Sequence, residues 1–191
     1  MASVESILDQ EILTAAQAGK KGKKARDSAI DIRNLHWPDV TEKQLWLLND
    51  RKRGGFAQVP RTLALMVSAI SDIAKRKSGK AVPAGKTYLA LWLRAFGEGL
   101  VKVENEKDVA YEAGYGGERS ISTFRIHMNI LKDLGLIDYK VGNRGPMQYV
   151  LMLNPYQVFK RLHSEKLVTD LQYAALLERA SAIGSASELK E

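Results

Sequence analysis

Arg119, Ser120, Ser122, Thr123, Arg125, Ile126 and Asn129 bring guanidinium, hydroxyl, amide and branched apolar groups into one short stretch of the chain. Such groups can read base-pair edges. Arginine reaches guanine O6 and N7 with two donors, asparagine does the same for adenine N6 and N7, and the methyl groups of threonine and isoleucine suit thymine. Lys140, Asn143 and Arg144 follow around a glycine- and proline-punctuated turn, where cations and amides suit a phosphate or minor-groove contact. Three basic clusters come earlier: Lys20, Lys21, Lys23 and Lys24 in a run ending at Arg26, then Arg51, Lys52 and Arg53, then Lys75, Arg76 and Lys77. Their charge would hold a phosphate backbone without selecting a sequence. The same residues also suit plain solvated surfaces: a polar helix face, a hairpin turn and basic helix ends.

The elements that must position these groups follow from apolar spacing. At about 100° per residue, Ile121, Phe124, Met128 and Leu131 fall within one arc of about 80° and must face a core. The opposite arc presents Arg119, Ser122, Thr123, Ile126, Asn129 and Ile130, with Arg125 at its edge. Two isoleucines on a solvated face are unusual, and a groove or partner contact would explain them. This helix is expected over Ser120 to Leu134, with Gly135 as its left-handed cap. Upstream, Tyr88, Leu89, Trp92, Leu93 and Phe96 predict a helix closed by Gly97 and Gly99, and Leu100 to Val103 alternates like a short strand. A second helix is expected over Glu106 to Ala113, with Gly114 and Tyr115-Gly116-Gly117 making a tight connection to the third. Downstream, Leu136 to Val141 and Met147 to Leu153 read as strands joined by a turn at Gly142 to Pro146.

The flanks are mainly helical. Ser3 to Leu13 has helical apolar spacing, Ala15 to Arg26 reads as a flexible basic tether, and His36-Trp37-Pro38 marks a turn. Thr41 can cap a helix holding Leu45, Trp46 and Leu48, stopped by Arg51 to Arg53 and Gly54-Gly55. Arg61 to Lys77 should be amphipathic, and Ser78 to Gly85 is the best boundary in the chain. Asn154-Pro155 opens a helix with Val158, Phe159 and Leu162, and Thr169 caps a last one with Leu171, Ala174, Ala175 and Leu177, after which the chain is expected to fray. The resulting division is a partly flexible basic arm over residues 1–40, a helical segment over 41–85, the helix–strand–helix–helix–hairpin unit over 86–153, and C-terminal helices over 154–191. Those last helices are either core elements or a two-fold dimer interface.

That order of elements resembles a winged helix-turn-helix domain, over roughly Lys86 to Leu153. The resemblance rests on Val109-Ala110-Tyr111-Glu112-Ala113-Gly114, which lets two helices meet closely, on the long amphipathic Ser120 to Leu134, and on Leu134-Gly135-Leu136-Ile137 passing straight from helix to strand. It implies a mainly α fold with a small β-hairpin (α+β), a third helix seated in a DNA major groove, and the hairpin as the wing beside it. A second resemblance covers Gly54 to Tyr156 through Val59-Pro60-Arg61-Thr62-Leu63, Leu91-Trp92-Leu93-Arg94, Glu112-Ala113-Gly114-Tyr115-Gly116-Gly117-Glu118-Arg119 and Tyr149-Val150-Leu151-Met152-Leu153-Asn154-Pro155. These are similar to poorly characterised proteins of bacterial plasmids and integrative elements. It implies plasmid maintenance, replication control or transcriptional regulation, and a partition or replication protein as an alternative partner.

Composition agrees with a nucleic-acid partner without identifying one. The 191 residues carry 29 Lys and Arg against 22 Asp and Glu, a formal net charge of +7. The excess is N-terminal, since residues 86–153 hold 9 basic and 8 acidic side chains. That near neutrality argues that the winged segment alone would bind DNA weakly, and that the basic clusters supply the missing attraction. Absence of cysteine excludes disulfides and thiolate metal sites and suggests a reducing, cytoplasmic setting. No signal peptide or membrane span is apparent, so no membrane partner is expected. Gly79 to Thr87 resembles a phosphate-binding loop only superficially, with five residues between its glycines where four are required and a proline in place of a donor. His36, His127 and His163 are too dispersed for a metal motif. No nucleophile or acid–base pair stands out, so neither catalysis nor a cofactor is expected.

Overall fold

The computed structural model describes residues 15–41, 44–45, 55–95 and 98–190. Eight helices and three strands occur among them: α1 (Ala15–His36), α2 (Leu63–Ser78), α3 (Ala84–Arg94), β1 (Leu100–Lys102), α4 (Glu106–Glu112), α5 (Ser120–Asp133), β2 (Ile137–Gly142), β3 (Gly145–Met152), α6 (Pro155–Ser164), α7 (Asp170–Ala182) and α8 (Ser187–Lys190). The chain is therefore mostly helical with one small antiparallel sheet, an α+β architecture. The sheet runs β1-β3-β2, with Val101 opposite Val150 and Tyr139 opposite the same valine from the other side. No described helix is long and apolar enough to cross a membrane.

Local chemistry explains most element ends. Asn105 caps α4 by accepting from the Lys107 N–H at 3.0 Å. Asn154 does the same for Tyr156 at 3.0 Å, with Pro155 in the first turn of α6, where its missing N–H costs nothing. Thr169 and Gln172 form a reciprocal capping box at the start of α7. Basic Lys75, Arg76 and Lys77 close α2 at its negative pole.

Buried residues from Leu63 to Leu189 form one apolar cluster, in which Tyr88, Leu91, Phe124, Met128, Leu131 and Phe159 are fully enclosed. Each of the leucine, phenylalanine and methionine side chains contributes about 1.5–3 kcal/mol. Ser78 to Gly85 is thus a short link between two packed helices. The approach is close at Gly85, where a Cβ would stand 2.2 Å from the Val67 carbonyl oxygen.

Two expectations are corrected, and one open alternative is narrowed. Ala15 to Arg26 is helical, because alanine and lysine are strong helix formers whose sum outweighs two glycines at about 1 kcal/mol each. The described residues after Gly184 do not fray: Ala186 and Leu189 are buried, and the Tyr173 hydroxyl donates to the Leu189 carbonyl at 3.0 Å. In the C-terminal helices, Tyr156, Phe159, Leu162 and Leu177 are spent inside the chain, leaving Leu171 exposed. Those apolar faces therefore give no separate ground for a dimer. Apart from residues 44–45, the helix expected after Thr41 lies outside the described residues, as do its basic stop and the N-terminal amphipathic stretch.

Candidate nucleic-acid interface

Helix α5 is aimed by its buried side. The link from α4 turns through Gly114 and Gly117, whose φ values of 85° and 81° favour glycine. Between them Tyr115 points inward, donating its hydroxyl to the Pro83 carbonyl at 2.9 Å and lying 2.9 Å from His127 Nδ1. Thr87 Oγ1 completes the cluster at 3.2 Å from both. This knot ties α5 and the turn before it to the start of α3. Burial pushes the His127 pKa below its ordinary 6.5, so the ring is neutral at physiological pH. A second tie joins α3 to α4, where Arg94 meets Glu112 with two bonds of 2.6 Å. That hydrogen-bonded guanidinium holds the Glu112 carboxyl below its usual range.

The outward arc of α5 is narrower than the spacing implied. Arg119, Ser122, Arg125, Ile126 and Asn129 are exposed. Thr123 is half-buried. Ser120, at 5% exposure, belongs to the core side with Phe124, His127, Met128 and Leu131. Ile130 is half-buried against the cluster and lines a crevice with Ile73 and Ala74, which removes it from the solvated face. At that end of α5 the covered side is widened by α2. Ile126 remains 56% exposed.

The hairpin stands beside this arc. Gly142 pairs with Gly145 around the two-residue loop Asn143-Arg144, and both loop side chains are exposed. Buried Gln148 fastens the loop from below, accepting from the Arg144 N–H at 3.1 Å. A Cβ on Gly142 would collide with that same Gln148 oxygen, so a larger residue there would have to displace the Gln148 side chain. Tyr139 links hairpin to helix by donating its hydroxyl to Asn129 Oδ1 at 2.6 Å.

Carboxylates hold most of the cations here. Arg125 Nε donates to Glu106 Oε2 at 2.7 Å, and Arg144 pairs with Glu104. Asp138 receives Lys132 at 2.8 Å and Lys140 at 3.5 Å. The Lys132 bond, with help from the Tyr139 N–H, takes the Asp138 carboxyl down to about 2. Arg119 forms no side-chain hydrogen bond or ion pair with a described residue. Ser122 spends its hydroxyl on the Arg119 carbonyl at 2.9 Å.

Of the basic clusters, Lys20, Lys21, Lys23 and Lys24 are exposed on α1, and Lys75 and Lys77 are exposed at the end of α2. Arg76 instead donates to the Leu167 carbonyl and anchors the link between α6 and α7. Arg51, Lys52 and Arg53 lie outside the described residues. Sequence reasoning missed Glu104, Glu106 and Tyr139 as partners of Arg144, Arg125 and Asn129. The near balance of acidic and basic residues in this segment was the only available signal, because each pairing joins different elements. No family model, curated protein or solved structure matches the chain.

Proposed function

We propose that this chain is a sequence-specific double-stranded DNA-binding protein of the winged helix-turn-helix type. The carrying observation is the exposed arc of α5 tied through Asn129 and Tyr139 to a hairpin whose Asn143 and Arg144 are exposed. Element order from α3 to β3 and the strand order β1-β3-β2 support the same reading. In it, α5 enters the major groove, with Arg119, Arg125 and Asn129 as base-edge donors and Ile126 against a thymine methyl. Lys140, Asn143 and Arg144 meet the backbone or minor groove. Lysines of α1 and of the α2 end add unselective attraction. The role is binding without reaction, and a setting in plasmid or mobile-element maintenance, replication control or transcription rests on sequence resemblance alone.

Exposed Ile126 favours a second reading, in which the same face docks a partition or replication protein. Added salt separates the two, because phosphate contacts weaken steeply with ionic strength and an apolar contact does not. The direct test is selection of genomic fragments with the purified chain, followed by footprinting. On a selected site, Arg119→Ala and Asn129→Ala should each cost about 1–3 kcal/mol while sparing random DNA. Equal losses on both would reduce these residues to phosphate anchors.

A further inference from the structure

Glu106 opens α4, and its side chain is only 10% exposed in the notch between α4, α5 and the hairpin. A carboxylate withdrawn from water this far needs a cation, and the one it meets among the described residues is Arg125. Its contact is with one edge of the guanidinium: Oε2 accepts from Nε at 2.7 Å. The other oxygen, Oε1, is buried without a hydrogen-bond partner, and a Cβ on Gly145 would lie 3.3 Å from it. The hairpin therefore closes one side of the carboxylate and leaves it committed to Arg125. The two terminal amino groups of Arg125 form no hydrogen bond with a described residue, and the side chain is 48% exposed. With the Nε edge spent, what Arg125 offers solvent is its end-on pair of amino groups. That pair matches the spacing of guanine O6 and N7.

We infer that Glu106 is a positioning residue that holds Arg125 end-on so that it selects a guanine in duplex DNA. This rests on the DNA-binding reading and goes beyond it by naming the base and the residue that enforces it. The buried carboxylate removes rotamer freedom that a long exposed arginine would otherwise lose on binding.

The test is selection from a random duplex library with the full chain, followed by competition between the selected site and single-base variants. The wild type should enrich a site containing a guanine that Arg125→Ala no longer prefers, discrimination there falling about tenfold. Glu106→Ala should relax that same position and no other, although Glu106 touches no DNA. Glu106→Gln keeps an acceptor for Nε and should retain most of the preference, a rescue that a bulk loss of stability would not reproduce. If Glu106→Ala fails to fold, Glu106→Asp replaces it, since a carboxylate one methylene shorter cannot reach Nε. That variant should relax the guanine position too. A guanine lost in Arg125→Ala but kept in both Glu106→Ala and Glu106→Asp overturns the positioning role while DNA binding stands. Uniform weakening on all sequences in Arg125→Ala makes it a phosphate contact and also overturns the inference. No enriched site with the wild type would sink the DNA-binding reading, and this inference with it.

Discussion

His127 sits on α5 yet faces inward, and its neutrality is built into the packing around Tyr115 and Thr87. Burial holds its folded pKa below 6.5, whereas the unfolded chain keeps the ordinary value. As pH falls, the unfolded state takes up this proton first, so folding stability is full above about pH 6.5 and declines below it. The melting midpoint should therefore drop between about pH 7 and pH 5, and it should drop less in His127→Gln. Equal slopes in the two proteins would show that the ring is solvated. At this scale the sequence was informative about residue type and less so about company. It marked Arg125 and Asn129 as candidates, but the bonds to Glu106 and Tyr139 cross element boundaries that no local spacing encodes. It also placed Ile130 and Ser120 with the solvated groups, because their coverage comes from other elements, α2 in the case of Ile130, and a helical wheel holds no information about a neighbour's position.

Elements were read more reliably where apolar period, caps and glycines agreed. The α5 span, the Gly135 cap at φ 72° and the hairpin turn all emerged within a residue or two of their expected ends. Failures came where one cue was overweighted: glycines within α1 masked its alanines and lysines, and a terminal location masked the apolar residues of α8. Packing between elements was the least visible property. Gly85 illustrates this, reading as part of a linker but serving as the contact point of α2 and α3. Gly85→Ala would drive a methyl group against the Val67 carbonyl, 2.2 Å away, and force the helices apart. The expected cost is about 1–3 kcal/mol, measurable by denaturant titration and exceeding any gain in helix propensity. An unchanged midpoint would mean that the two helices separate freely.

Across the whole molecule, charge and cohesion divide differently. Charge is concentrated at the N-terminal side, where α1 carries exposed Lys20, Lys21, Lys23 and Lys24. If these lysines meet phosphates, replacing all four with alanine should lower the slope of log affinity against log salt by up to about 3–4, while the selected site stays the same. An unchanged slope would make α1 a bystander. Cohesion runs the other way, toward the C-terminus. Arg161 donates to the Leu134 carbonyl at 2.5 Å just where α5 ends, and Arg76 reaches Leu167 from α2. The helices after Leu153 thus clamp the foot of the segment that would face DNA. A chimaera made by grafting residues 86–153 onto another scaffold would strand that carbonyl and bare the partners of Tyr156, Phe159 and Leu162. The unit over residues 86–153 is portable only together with the helices that follow Leu153.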